Sequence, residues 1–485
     1  MKKRLRSIGM AALSLLLVLA LLTGCDNGSN ASQPEESDYE PNVGTVKGIP
    51  VAWLRSSEIN GFLERTHHYV NIDNSVESTV TGEPVRVAED GSFFDDFSGG
   101  IDPEVWGIAK RAWGGDNHGV IRENVGYTAD GILVLTANGD LYDGPLNPSP
   151  EDKDGVRTGA CLVTQQNLGP GSYEVRMKVA SQMGACTAMW TFFWSSEEVN
   201  HEIDIEIPAS TKNFQNSQFV TWTGEEVYTD KQTTPDFYHN DGQWHTYRFD
   251  WHTSPEKVDF YVDDNLEMTI EDTIPTIAGH FWLGVWFPKR WCGVPNFDTT
   301  YMLVDWVKYT AYDEPYTPTD GTFTYTPFNA YPTEPIELPT ANFVANGDFE
   351  VDTTAWTTTN DGAVMQNPDR GNRMLRLGNA DASVEQIVNS IIPDSDYTLN
   401  VNGFGVGDSH AKVKLEYLEL FGDDVLDTEE MALTGDGFEA KSFSIHTPKG
   451  AERIRLTLCG EGDGPFFFDD IYLTQPARGD FNVIE

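Results

Sequence analysis

The chain has 485 residues, with 32 lysines and arginines against 76 aspartates and glutamates, a formal net charge of −44. So acidic a balance argues against nucleic acid and anionic lipid surfaces as partners, and suits a soluble, exported protein that meets a neutral or cationic ligand. The length calls for two domains or more, and 13 Trp with 26 Phe supply rings both for large cores and for stacking on flat ligands.

The first residues read as a targeting segment. Lys2, Lys3, Arg4 and Arg6 precede an apolar run, residues 10–22, that is too short for an ordinary spanning helix. The run ends in Leu22-Thr23-Gly24-Cys25. This tetrad resembles the lipobox of bacterial lipoproteins. The resemblance implies a signal peptide over residues 1–24, lipidation of Cys25, and a protein anchored through that lipid in the bacterial cell envelope, outside the cytoplasm. Residues 25–43 are polar and acidic, the composition of a disordered tether. Four further cysteines, Cys161, Cys186, Cys292 and Cys459, match no zinc spacing. They are expected to be buried thiols, with a Cys161–Cys186 disulfide left open.

Residues 44–88 form an N-terminal extension with short strands expected at 51–54 and 84–87. The adjacent His67 and His68 lack partners at metal-binding spacing and are expected on the surface. Residues 89–314 show many short strand patterns separated by turn residues, among them 131–136, 172–179, 218–223, 246–251 and 258–262. That rhythm predicts a β-sandwich or barrel. Residues 315–340 are rich in Pro and Thr, the composition of a stiff linker, and their aromatic residues place part of it on a domain surface. Residues 341–478 read as a second all-β unit.

One stretch stands out. From Glu202 through Ile203, Asp204, Ile205 and Glu206 to Ile207, acid and isoleucine alternate strictly. Period two is a strand. Three isoleucines then face a core, and three carboxylates share the opposite face, where they raise one another's pKa. Retaining glycoside hydrolysis needs two carboxyl groups about 5–5.5 Å apart. Glutamates at i and i+4 have Cα atoms roughly 13 Å apart and reach that separation by leaning together. The shorter Asp between them is placed to hold a proton and keep their two pKa values apart. Taken alone, the motif serves equally well as a solvated strand face or an edge-strand charge guard.

The neighbouring blocks carry a resemblance. Residues 169–178 (Gly-Pro-Gly-Ser-Tyr-Glu-Val-Arg-Met-Lys), then Met189-Trp190-Thr191-Phe192-Phe193, then the acid strand, are similar to glycoside hydrolase family 16. Trp244-His245-Thr246-Tyr247-Arg248-Phe249-Asp250-Trp251, Phe260-Tyr261-Val262-Asp263 and Val304-Asp305-Trp306-Val307-Lys308-Tyr309-Thr310 follow in the family's order. The resemblance implies a concanavalin A-like β-jelly-roll with substrate in a concave cleft, Glu202 as nucleophile, Glu206 as general acid/base and Asp204 assisting. The unbulged Glu-Ile-Asp-Ile-Glu spacing resembles lichenases and some transglycosylases rather than laminarinases or agarases. It therefore favours a retaining endo-hydrolase of β-1,3-1,4- or β-1,3-glucan. The alternatives are a transglycosylase on β-glucan or xyloglucan, a hydrolase of another polysaccharide such as an agarose-like galactan, and a non-catalytic surface glycan-binding lipoprotein.

The same resemblance implies sugar contacts at Glu174 and Arg176, stacking at Trp286, and cleft positions for Trp190, Trp194, Trp222 and Trp291. The family's sugar-binding Asn is absent from Leu283-Gly284-Val285-Trp286, and its Trp two positions before the nucleophile is Asn200. Asp305 matches a position for a structural calcium on the convex side. The C-terminal unit is similar to carbohydrate-binding modules of the family 4, 9 and 22 type. The carriers are Asn346-Gly347-Asp348-Phe349-Glu350, Trp356 and the closing Phe468-Asp469-Asp470-Ile471. That likeness implies calcium candidates at Asp348, Glu350 and Asp469, and platform candidates at Trp356, Tyr397 and Tyr417. No organic cofactor is expected, because two carboxyl groups carry the chemistry. A monomer is expected.

Overall fold

The computed structural model describes residues 85–110, 119–142, 157–209, 216–235, 237–288, 292–319, 331–367, 371–435, 437–438 and 440–475, and the backbone of three strands nearer the N-terminus. Those strands, Asn42–Val46, Ile49–Leu54 and His67–Val70, make an antiparallel sheet of their own. The strand expected at 84–87 does not form in the described part, where residues 85–88 are irregular. Residues 1–41, including Cys25 and the segments read as signal peptide and tether, lie outside the described residues.

Alternation of apolar and polar residues builds two antiparallel sheets that pack face to face, a jelly-roll sandwich. The first has seven strands in the order Val227–Thr233, Ser217–Gly224, Val199–Pro208, Cys186–Ser196, Gly279–Trp286, Ala160–Leu168, Trp106–Ile108. The second has eight. Its continuous path is Asn265–Ile270, Glu256–Val262, His245–Thr253, Gly171–Lys178, Thr299–Ala311, Leu133–Asn138, Val125–Tyr127, with Phe93–Asp95 paired onto Thr299–Ala311.

The layer between them is closely filled. Ile203, Ile205, Ile207, Phe281 and Leu283 from the seven-stranded sheet meet Tyr173, Val175, Met177, Phe249 and Trp251 from the other. Tyr173 stacks on Phe249 at 4.6 Å between ring centroids, and its hydroxyl donates to the Gly169 carbonyl at 2.6 Å. A buried ring thus keeps its one polar atom satisfied.

Part of the Pro/Thr-rich segment lies against this sandwich. Tyr331 is buried and donates from its hydroxyl to the Trp106 carbonyl at 2.6 Å. Residues 320–330 lie outside the described residues.

The C-terminal unit is a second sandwich of two five-stranded sheets. Trp356, Tyr397 and Tyr417 are buried in its core, which removes all three as ligand platforms. Asp469 is buried and accepts from Asn372 Nδ2 at 2.8 Å, while Glu350 Oε1 accepts from the Arg373 amide at 2.8 Å. Among the described residues no group of three or more His, Cys, Asp or Glu could hold a metal ion. The unit docks on the loop that feeds the Cys186–Ser196 strand. Gln182 Nε2 donates to the Asn342 carbonyl at 3.2 Å, and the Met183 amide to Ser390 Oγ at 2.9 Å.

Cysteines 161, 186 and 292 are buried free thiols and Cys459 a partly buried one, so the Cys161–Cys186 disulfide does not form.

Ile205 is fully buried at the centre of the layer. Ile205→Ala is expected to cost about 2–5 kcal/mol, read as a lower urea midpoint for the transition of this sandwich.

Candidate active site

The strand Val199–Pro208 runs between Cys186–Ser196 and Ser217–Gly224. Because Ile203, Ile205 and Ile207 enter the core, period two sends Asn200, Glu202, Asp204 and Glu206 out of the sandwich on the other side. In register, Glu202 lies between Phe192 and Trp222, Asp204 between Trp190 and Val220, and Glu206 between Ala188 and Gln218. One strand further out, His280, Trp282 and Gly284 align on one side, and Tyr228, Asp230 and Gln232 on the other. These rows form one active face.

Each acid on this face has a different environment. Asn200 Nδ2 donates to Glu202 Oε2 at 3.3 Å, and Trp222 Nε1 donates to Asp204 Oδ2 at 3.0 Å. Burial pushes the Glu202 carboxyl above the usual range, and hydrogen bonds from Asn200 and Asp204 partly offset the push. Asp204 is raised by burial and then by both glutamates, so it keeps its proton and donates to Glu202. Glu206 is raised by burial, then by Glu202 and Asp230, with no donor to offset it. Both glutamates are thus raised, and of the two only Glu202 has hydrogen bonds that oppose the rise. That division suits a nucleophile and an acid.

Aromatic rings surround the acids. Trp190 stacks on Trp282 at 5.6 Å and 15°. Trp222 stacks on the exposed Tyr228 at 4.3 Å. Trp194, opposite Asn200, donates from Nε1 to Glu225 Oε1 at 3.0 Å. Trp190, Trp194 and Trp222 thus share the acid face, whereas Trp291 lies outside the described residues.

Trp286 is on the same sheet but nearly covered. It packs in an apolar cluster with Cys161, Val163, Cys186, Phe192, Trp282 and Cys292, so it is a packing residue rather than an open sugar platform. The absent Asn beside it has a steric counterpart. A Cβ on Gly284 would lie 2.2 Å from Cys161 Sγ and 2.6 Å from the Ala160 carbonyl. The thiol occupies the room that a side chain there would need.

Glu174 and Arg176 do not reach this site. They share a strand face, as their spacing predicts, but the strand belongs to the eight-stranded sheet. Tyr173, Val175 and Met177 take the core side, so the two charges point outward on the far side of the sandwich. There Glu174 pairs with Arg248 at 3.5 Å and Lys308 at 3.5 Å, and Arg176 pairs with Asp305. Asp305 is thereby neutralised by a guanidinium.

Three groups on the active face escaped sequence reasoning: Tyr228, Asp230 and His280. Tyr228 and Asp230 carried a signal, since they alternate on a strand that follows Trp222 through a short turn.

The chain is similar to several known proteins. The family model described as Glycosyl hydrolases family 16 matches residues 116–308. A β-glucanase of Paenibacillus polymyxa is 33% identical over 199 residues, covering 39% of this chain and 74% of that protein. The endo-1,3-1,4-beta-glycanase ExoK of Rhizobium meliloti (strain 1021) is 29% identical over 233 residues, covering 45% of this chain and 79% of that protein. The solved Bacillus licheniformis β-glucanase superposes with a TM-score of 0.40 at 26% identity, covering 46% of this chain and all of that one.

A buried acid whose pKa is raised on folding weakens the fold as pH rises. Below the ordinary value of 4.5 Glu206 is protonated in both folded and unfolded chains; between 4.5 and its folded value of about 8 only the folded chain holds the proton, and stability falls. Glu206→Gln is therefore expected to unfold at the same urea midpoint as the native protein near pH 4. It should gain stability over the native protein as pH rises, and level off above pH 8.

Proposed function

The chain belongs to glycosyl hydrolase family 16, and from that membership we propose that it is a retaining endo-hydrolase of mixed-linkage β-1,3-1,4-glucan. It is a glycoside hydrolase, and its relatives are β-glucanases. The observation that carries the finer reading is the unequal treatment of Glu202 and Glu206 on one strand face. Glu202 receives a donor from Asn200, and Glu206 receives only burial and negative neighbours.

In the proposed reaction the Glu202 carboxylate attacks the anomeric carbon. The glycosidic C–O bond breaks, and the leaving oxygen takes the proton of Glu206. Glu206, now a carboxylate, removes a proton from water as that water attacks the same carbon. The C–O bond to Glu202 breaks, Glu202 is regenerated, and the anomeric configuration is retained. Asp204, protonated and held by Trp222, steadies Glu202 through both steps. The exposed Tyr228 against Trp222, and Trp190 against Trp282, are offered as flat surfaces for sugar rings.

The regular Glu-Ile-Asp-Ile-Glu spacing favours mixed-linkage glucan over pure β-1,3-glucan, as does the activity that the name of the Rhizobium relative states. We read the C-terminal sandwich as a glycan-binding unit. Its outward-facing Phe404 and Phe467 stack at 5.1 Å, with Phe438 edge-on to Phe404 at 5.0 Å. Cys25 is proposed as a lipid anchor at the cell envelope.

The deciding assay is release of reducing ends from lichenan, laminarin, xyloglucan and agarose. Lichenan is expected to be cut fastest, with the β-anomer seen first by NMR. Glu202→Gln should lower kcat by roughly a thousandfold or more. Cleavage of laminarin or agarose in preference would overturn the linkage assignment, and an α-anomer first would overturn retention. A double Phe404→Ala, Phe467→Ala variant is expected to run faster than native in a lichenan affinity gel, yet cut soluble oligosaccharides at the native rate.

A further inference from the structure

Asn200 sits two residues before Glu202 on the same face of the acid strand, where the family resemblance expects tryptophan. It is only 1% exposed, directly across from Trp194. A primary amide offers a donor at one end and an acceptor at the other. Facing a carboxylate it must present the nitrogen, and it does, with Nδ2 3.3 Å from Glu202 Oε2. The oxygen is then turned away from Glu202. Asn200 Oδ1 is buried and has no hydrogen-bond partner among the described residues. A buried amide oxygen left unpaired is costly, and protein interiors rarely keep one. The unpaired oxygen accompanies the nitrogen's contact with Glu202: turned the other way, the amide would face a carboxylate with an acceptor.

We propose that Asn200 is a positioning residue: its Nδ2 holds the nucleophile Glu202 in the orientation it needs for attack. The proposal rests on Glu202 being the nucleophile. A hydrogen bond donated to a carboxylate favours the charged form, so Asn200 also helps keep Glu202 ionised. The other groups around Glu202 leave that help hard to replace. Its own strand contributes Asp204 and Glu206. On one side stand Trp222 and then Tyr228 and Asp230; on the other stand Phe192 and then His280. Glu225 is engaged by Trp194. Burial lowers the His280 pKa, so at neutral pH it brings no positive charge.

The test measures kcat and KM on lichenan against pH for the native chain, Asn200→Ala and Asn200→Asp. The Asp variant is isosteric. It keeps an oxygen where Oδ1 stands and replaces the donor with an acid, so it reports even if the Ala variant fails to fold. In both variants the acid limb of kcat/KM is expected to move to higher pH by about one unit, because Glu202 loses its donor. KM is expected to stay within about twofold of native while kcat falls, because Asn200 acts through Glu202 rather than on substrate. An unmoved acid limb in both variants overturns the proposal, as does a rise in KM with kcat unchanged.

Glu202→Ala assayed with azide on a dinitrophenyl β-glucan oligosaccharide separates the proposal from its premise. Recovery of turnover with an α-glycosyl azide product identifies the nucleophile independently of Asn200. No recovery removes the premise, and the proposal with it.

Discussion

The site depends on a single strand with two incompatible faces. Ile203, Ile205 and Ile207 hold the Val199–Pro208 strand into the core, and that attachment forces three carboxyl groups together on the reverse side. Burial raises all three, and repulsion from neighbouring carboxylates adds to the rise at Asp204 and Glu206. Left to themselves they would simply take up protons and lose their distinction. What separates them is a small set of donors from adjoining positions: Asn200 from the same strand and Trp222 from the next. The isoleucines supply the constraint, and the donors give the carboxyl groups different surroundings.

The rest of the face follows from the strand order. The acid strand is third from one edge of its sheet, so it has two strands on one side and four on the other. The two-strand side is exposed and polar, with Tyr228, Asp230 and Gln232 in line. The four-strand side is packed and apolar, with Trp282, Trp286 and three cysteines in one cluster. Gly284 permits the Cys161 thiol to fill that side closely. A sugar chain crossing the strands would meet polar partners on one side of the acids and a close-packed wall on the other.

The sandwich class, the acid strand and the direction of its side chains were legible in the sequence, because alternation over six residues leaves one solution. Glu174 and Arg176 were sent to the cleft by the family resemblance rather than by this periodicity. It established correctly that they share a face, but alternation does not reveal which of two packed sheets a strand joins. Only the register with His245–Thr253 and Thr299–Ala311 puts them on the far side. Trp286 failed for a related reason: exposure depends on what packs around a residue, here a cluster that includes Cys161 and Cys186, which are remote in sequence. Trp356, Tyr397 and Tyr417 show the same limit in the second sandwich.

The C-terminal sandwich touches the catalytic one at a telling place. Met183 and Gln182, which bond to Ser390 and Asn342, lie on the turn just before Cys186–Ser196. That strand pairs along its length with the acid strand, bringing Ala188 opposite Glu206. The same turn bonds back to the residue that ends the acid strand, since the Gly184 amide donates to the Ala209 carbonyl at 2.8 Å. The second unit is therefore attached at the Glu206 end of the catalytic strand pair, not to a remote edge. The docking contacts are mostly hydrogen bonds from backbone and amide groups, the kind of joint that keeps two folded units in register without merging their cores.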